Sequence, residues 1–371
     1  MSLRGAGSPS AKPKKRVSLA LAGLERGEVL TGPQTVHVDV TNGCNTNCIT
    51  CWDHSPLLTI GRTSAWKRQR IDVAALEGVL DDAASLGGLE AIILSGMGEP
   101  FTHPGIYEMI AAVKRRGLHL TIITNLVAAD VEQIIALGVD QLLIGVQGAS
   151  RASYEAFHPS FKNGEWDRLL GMLARLREAG RRFKHVQVVC EVNAHELVDM
   201  VRLAKTYDAS LLNFKLAGLK GGTETCRVTD AQRRELESSL VPEARRVARD
   251  LGVDTNLDVF EAQLSAGGEA TAPIRDVGCF IGQTYARVLV DGTVLYCCNT
   301  DVVVGHLAEA RFSDLWRAER WNAVRARMRR GDYFDSCSQC GKIAQNVKLR
   351  ARFEAAYGPE RARDVTGGGA P

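Results

Sequence analysis

"TVHVDVTNGCNTNCITC", residues 35 to 51, joins a strand-like run to three cysteines within eight positions. Its first half alternates. Val36, Val38 and Val40 fall on one side of an extended chain, and His37, Asp39 and Thr41 on the other. Its second half poses a chemical question, because three thiols suit neither a disulfide, which needs two, nor a closed zinc site, which needs four.

Strand-like and helical stretches continue to alternate as far as residue 216. The strand candidates are "TVHVDVT" (35–41), "LEAIILSG" (89–96), "LHLTIITN" (118–125), "DQLLIGVQ" (140–147), "HVQVVCEVN" (185–193) and "SLLNFKL" (210–216). Amphipathic segments such as "GIYEMIAAVKRRG" lie between them, most closed by glycine. This order predicts an α/β fold with a parallel sheet, open or curled into a partial barrel. Sites in such folds lie at the carboxyl ends of the strands, where the three-cysteine motif begins. In the last strand Asn213 and Lys215 share one face, while Leu212, Phe214 and Leu216 share the other. A parallel strand covered on both sides is apolar throughout, so these polar faces predict an interior that contains something polar.

Bulk properties exclude several classes. Among 371 residues, 46 basic and 43 acidic side chains give a net charge of +3, too balanced for a nucleic-acid or membrane-surface protein. No apolar run approaches the roughly 18 residues of a membrane span. The basic start, "MSLRGAGSPSAKPKKRVSLA", lacks the apolar core of a signal peptide, so a cytoplasmic protein is expected. That stretch and the final "DVTGGGAP" read as disordered ends. Eight of the ten cysteines fall into two clusters, Cys44, Cys48 and Cys51, then Cys279, Cys297, Cys298, Cys337 and Cys340. Without an export signal, such clusters read as metal ligands rather than disulfides.

The spacing Cys44-x3-Cys48-x2-Cys51 resembles that of the radical S-adenosylmethionine (SAM) superfamily. The resemblance implies a 4Fe–4S cluster held by three thiolates, with SAM chelating the fourth iron and undergoing reductive cleavage to a 5′-deoxyadenosyl radical. "SGMGEP" (95–100) resembles the superfamily's Gly-Gly-Glu-Pro motif, which implies that Gly96, Gly98, Glu99 and Pro100 receive the SAM amino group. Glycines permit close backbone approach, and a carboxylate suits an ammonium. "TNL" (124–126) and "VQGAS" (146–150) resemble the ends of the third and fourth strands, implying SAM contacts by Asn125 and Gln147. Asn193 ends the fifth strand, where the resemblance implies a ribose contact. Thr50 and Gln147 depart from the family pattern, which often has a large apolar residue and a serine there. The adenosine contacts therefore stay open, with Trp52 either stacking or simply packed.

The later cysteines resemble the SPASM/Twitch domains appended to such enzymes. Cys279, Cys297, Cys337 and Cys340 would then hold an auxiliary 4Fe–4S cluster, with Cys298 as the alternative to Cys297. Asp291-Gly292 is a good hairpin dipeptide for presenting Cys297 beside Cys279. No cysteine follows Cys340, which favours the smaller Twitch form with one auxiliary cluster. The competing readings are zinc sites at either cluster.

The expected architecture is a partial (β/α)6 barrel with a small C-terminal cysteine-rich Twitch/SPASM-like domain. Its divisions are a tail and lead-in helix (1–33), the barrel (34–225), a helical segment and linker (226–278), the auxiliary domain (279–345) and a C-terminal tail (346–371). The expected function is hydrogen abstraction from a small molecule, such as a sugar or aminocyclitol intermediate. The auxiliary cluster would carry electrons in a dehydrogenation or related rearrangement, and flavodoxin or ferredoxin would serve as low-potential donor. The 34 residues before the first strand are too few for a leader-binding domain, so peptide maturation stands second. An iron–sulfur electron carrier is the rival of another class. Cys190 has the wrong parity for the interior, Glu191 shares the face of Asn193, and His54 and His103 have no clear partner.

Overall fold

In the computed structural model the described residues are 18–266 and 273–367. Most of the basic start, most of the "SAGGEATAP" linker and the last four residues lie outside them. All six expected strands form: β1 (Thr35–Asp39), β2 (Ala91–Ser95), β3 (His119–Thr124), β4 (Gln141–Gly145), β5 (Lys184–Val189) and β6 (Leu211–Leu216). Each pairs in parallel with the next. Their outward residues, among them Val36, Val38, Ile92, Leu94, Leu120, Ile122, Ile144, Leu212 and Phe214, are fully buried under the helices of the crossovers. Helices such as Ile106–Arg115 and Leu197–Thr206 place Met109, Ile110, Val113, Met200 and Val201 on that layer. The fold is α/β, with a parallel sheet backed by helices.

Three further strands, β7 (Tyr285–Val288), β8 (Thr293–Leu295) and β9 (Val303–His306), complete a nine-stranded sheet in the order β6-β5-β4-β3-β2-β1-β7-β8-β9. Here the structure departs from the expectation of a separate module beyond a linker. β7 runs parallel to β1, with Thr35 opposite Tyr285 and His37 opposite Arg287. The cysteine-rich unit extends the barrel's own sheet.

The register explains the polar half of "TVHVDVT". His37, Asp39, Ser95, Tyr285 and Arg287 share the inner face of β1, β2 and β7. Arg287 grips Asp39 with two bonds, Nε to Oδ1 at 3.0 Å and Nη2 to Oδ2 at 2.7 Å. His37 bonds Tyr285 Oη through Nδ1 at 2.7 Å and Ser95 Oγ through Nε2. Burial holds the His37 imidazole well below its usual pKa, with Arg287 and Lys342 adding to the effect, so the ring is neutral. The same parity turns Asn213 and Lys215 inward on β6.

The C-terminal stretch read as a tail is helical and packed. Ile343–Tyr357 and Pro359–Asp364 are helices, and Phe353, Val365 and Thr366 are buried. Phe353 packs against Phe280 with the rings tilted, their centres 5.7 Å apart. Glycine-rich composition suggested disorder. Yet Gly278 lies so close under Thr366 that a Cβ there would meet its side chain at 2.5 Å.

Asp39→Ala would leave Arg287 a buried cation without its partner. Urea unfolding of the apoprotein should show a loss of about 3–5 kcal/mol. A loss under about 1 kcal/mol would mean that the pair does not hold β7 to β1.

Candidate active site

The loop that follows β1 carries Cys44, Cys48 and Cys51 at the carboxyl ends of the first strands. The loop after β2 lies directly on it. Gly98 N–H donates to Thr41 O at 3.2 Å, and Glu99 N–H to Gly43 O at 2.8 Å. A Cβ on Gly96 would sit 2.2 Å from Thr41 O, and one on Gly98 1.9 Å from Gly43 O. Both glycines are therefore obligatory, for a reason other than the one the motif suggested. The backbone they approach is that of the cysteine loop.

All three thiols are half-buried. Burial pushes each thiol upward, Cys44 to about 12, and each of Cys44 and Cys48 also feels the charge of its neighbours. Cys51 Sγ accepts backbone N–H bonds from Asp53 (3.5 Å) and His54 (3.4 Å). Three desolvated thiols on one loop need a cationic group before they can ionise, although among the described residues no three His, Cys, Asp or Glu side chains are gathered as for a single metal ion. On donor chemistry they fit a 4Fe–4S cluster with one iron left without a protein ligand.

Glu99 lies beside this loop and is only 3% exposed. Its carboxylate accepts bonds from Thr124 Oγ1 (2.6 Å), Asn125 N (2.7 Å) and Phe101 N (3.2 Å). Pro100 opens the short turn that delivers the Phe101 donor. Burial outweighs these bonds and raises the carboxyl to about 7. Asn125 Nδ2 donates to Asn45 Oδ1 at 2.8 Å, which ties the end of β3 to the cysteine loop. Gly96, Gly98, Glu99, Pro100 and Asn125 thus gather on the loop that carries the three cysteines.

Gln147 and Asn193 behave differently. Gln147 has a positive φ of 66° and turns its side chain back, accepting from Val188 N at 2.7 Å. Asn193 has no exposed surface; Nδ2 donates to Gln147 O and Val188 O, both at 2.9 Å, and Oδ1 accepts from Cys190 N at 2.9 Å. The ribose contact expected of Asn193 calls on atoms that here stitch the ends of β4 and β5. Cys190 is buried, yet not against the outer helices as expected: it follows the parity of Val188, opposite inward Lys215, and packs with Ile49, Phe157 and Cys226 beside Cys48, while Glu191 is exposed. Trp52 is half exposed at the rim, its Nε1 donating to Gly218 O at 2.6 Å and its ring under Lys220 at 3.9 Å.

The second cluster of cysteines gathers where β7 and β8 meet the C-terminal helix. Gly292, at φ 90°, makes the expected turn after Asp291. Burial raises Cys279 to about 12, with Cys340 and Cys337 adding to it. The adjacent thiols of Cys297 and Cys298 act on each other, which pushes Cys297 up and Cys298 down, with Lys342 and Arg287 also lowering Cys298. Asn299 N donates to Cys297 Sγ at 3.4 Å, and Asn346 Nδ2 to Cys340 Sγ at 3.9 Å. This soft, buried donor set also fits an iron–sulfur cluster.

Sequence reasoning missed Asn45, Thr124, Tyr285 and Arg287. The last two carried a readable signal, since "YARV" alternates in the same way as "TVHV". Asn45 and Thr124 act through loop geometry, which leaves no periodic trace.

The Radical SAM superfamily model matches residues 38–204, and the SPASM iron-sulfur cluster-binding domain matches 279–341. The chain is 26% identical over 350 residues to an AdoMet-dependent heme synthase of Methanosarcina barkeri, covering 88% of this chain and 93% of that protein. It is 26% identical over 295 residues to a PqqA peptide cyclase of Gluconobacter oxydans, covering 78% and 76%. Among solved structures it resembles Streptococcus suis SuiB bound to S-adenosylmethionine, with TM-score 0.60, 15% identity and coverage of 87% and 74%. It also resembles anSMEcpe with bound AdoMet, with TM-score 0.60, 13% identity and coverage of 91% and 96%.

The Glu99 carboxyl titrates near 7 in the fold, above its ordinary 4.5, so the folded chain binds that proton more tightly than the unfolded one. Its stabilisation is complete below 4.5 and is lost as pH rises through 7, by up to about 3 kcal/mol. Unfolding of the apoprotein across this window should show the decline, and Glu99→Gln should flatten it. Identical slopes for both proteins would refute the assignment.

Proposed function

Because this chain belongs to the radical SAM superfamily and carries a SPASM iron–sulfur domain, we propose that it is an enzyme that modifies a peptide held at the inner face of its sheet. With cluster and SAM bound, such a site supplies a 5′-deoxyadenosyl radical that takes a hydrogen atom from the substrate. Cys44, Cys48 and Cys51 would hold the first cluster, and Cys279, Cys337, Cys340 and one of Cys297 and Cys298 the single auxiliary one. Glu99 and the Gly96–Gly98 backbone would receive the SAM ammonium, while Asn125 and Gln147 shape the ends of β3 and β4 around it. A flavodoxin or ferredoxin would deliver the low-potential electron.

The observation that carries the peptide reading is the likeness to a PqqA peptide cyclase over 78% of the chain. The rim supports it. Trp52, Leu57 and Ile60 are exposed on the loop that follows the third cysteine, and Thr59 N–H bonds Gly221 O at 2.9 Å to join that loop to the one after β6. An apolar rim beside a polar interior suits a chain that lies across the mouth and sends one side chain inward. We therefore rank a peptide ahead of the small-molecule substrate expected from the sequence. A non-peptide substrate stands second, supported by the likeness to the heme synthase over 93% of that protein's length.

Reconstituted enzyme, SAM and reductant should change the mass of a short peptide encoded beside its gene, with 5′-deoxyadenosine formed in step. If a tetrapyrrole alone drives coupled 5′-deoxyadenosine formation, the second reading replaces the first.

The two clusters should divide their work. Cys48→Ala should abolish reductive SAM cleavage, since the three-thiol site loses a ligand. Cys340→Ala should lose about four irons yet still yield 5′-deoxyadenosine with dithionite. The joint between β7 and β1 is made of backbone pairing and the Asp39–Arg287 bridge, neither of which involves Cys340. A folded Cys340→Ala protein that keeps its first cluster but forms no 5′-deoxyadenosine would overturn this division.

A further inference from the structure

We propose that Arg325 is a fixed positive charge behind the auxiliary cysteines that raises the reduction potential of the cluster they hold. The inference rests on the reading that those cysteines bind an iron–sulfur cluster. It adds the residue that sets how readily this cluster takes up an electron.

Arg325 lies in the helix Glu319–Arg329 and is only 6% exposed, against two fully buried indoles. Its Cζ stands 4.3 Å from the centre of the Trp316 ring and 5.2 Å from that of Trp321. Nε donates to Gly282 O at 3.0 Å, and Nη1 to Trp316 O at 2.8 Å and to Asn322 Oδ1 at 2.7 Å. Nη2 is buried and has no partner among the described residues. Every acceptor in this set is a neutral oxygen. Among the described residues no carboxylate lies at ion-pair distance from the guanidinium. Burial lowers its pKa to about 10, so it is a cation at neutral pH. Arg287, similarly buried, has Asp39 for a partner.

A buried cation without a counter-ion costs the fold several kcal/mol by order of magnitude, ~3–5 where a partner has been removed. Anchoring the Gly282 turn to the helix calls only for a donor, and an uncharged side chain supplies one. The charge has a use in what lies next to it. Gly282, whose carbonyl Arg325 holds, follows Cys279 by three residues. Tyr296 lies directly over Gly282, since a Cβ there would meet its Oη at 1.8 Å, and Tyr296 immediately precedes Cys297. Cys279 and Cys297 pack against the same core as Tyr296, Trp316 and Trp321. One peptide turn and one phenol ring thus separate the guanidinium from two of the ligand segments. Four thiolates around a 4Fe–4S core leave a net negative charge, and an added electron makes it more negative. In a dry interior a fixed cation nearby favours that extra charge, so the reduced cluster is stabilised over the oxidised one. The cluster is also the anion that Arg325 otherwise lacks.

The test is a redox titration of the holoprotein followed by electron paramagnetic resonance, after iron has been counted. The auxiliary cluster is the one that Cys340→Ala lacks, and the first cluster serves as internal reference. Arg325→Met removes the charge and keeps the bulk. It should lower the auxiliary midpoint by the equivalent of roughly tenfold in the reduction equilibrium, about 59 mV for one electron, and leave the first cluster unmoved. Arg325→Lys should restore the wild-type midpoint. Asn322→Asp sets a carboxylate on the guanidinium from an exposed position and leaves Arg325 between its indoles, so it carries the test where Arg325→Met fails to fold. It too should lower the auxiliary midpoint. About four irons in the wild-type protein would sink the auxiliary-cluster reading, and this inference with it. With about eight irons, three results would overturn the inference alone and reduce Arg325 to a packing strut: an unchanged midpoint in Arg325→Met or Asn322→Asp, an equal fall in both clusters, or a fall in Arg325→Lys as large as that in Arg325→Met.

Discussion

The parallel pairing of β7 with β1, closed by the two bonds between Arg287 and Asp39, is the constraint on which the site depends. β1 runs into the loop of Cys44, Cys48 and Cys51, and β7 leads through its hairpin to Cys297. A buried ion pair is a poor source of net stability, since desolvation consumes most of the attraction. What it supplies here is register. A slip of one residue would turn Arg287 toward the helices and leave Asp39 charged and alone.

Above that joint the loops are stacked so closely that two positions admit no side chain. Gly96 and Gly98 let the second loop lie on the first, and this contact brings Glu99 beneath the end of β3. The carboxylate then joins two strand ends while buried deeply enough to favour its proton. An ammonium placed beside it would restore the charge that burial discourages. The same group is a structural tie and, in the function proposed above, would be a receptor for positive charge.

Much of this was legible in the sequence because it is periodic or covalently spaced. The alternation in "TVHVDVT" and "SLLNFKL" showed which side chains face inward, and the cysteine spacing pointed to the superfamily whose model the chain matches. What stayed hidden depends on distant encounters. His37 meets Tyr285 across 248 positions, and no local pattern records that partner. The C-terminal helices were obscured by the glycine-rich end that follows them, whose composition suggests disorder, and by a packing partner for Thr366, Gly278, that lies far off in the sequence. Asn193 was expected to reach a ligand, because a polar residue at a strand end looks the same whether it faces substrate or ties down backbone. Between Cys297 and Cys298 the spacing favoured the first, and adjacency in the chain leaves both thiols within the same buried region.

The unbroken run of strands from β6 to β9 has a further consequence. In enzymes built from two hinged lobes, the gap between working parts widens and narrows with each turnover. Here the two cysteine-bearing regions are mounted on one woven surface, and their separation is set by strand spacing and twist. The interior therefore has a fixed calibre. Whatever reacts there is selected by whether it spans that interval when it arrives, as a gauge block is selected by its length.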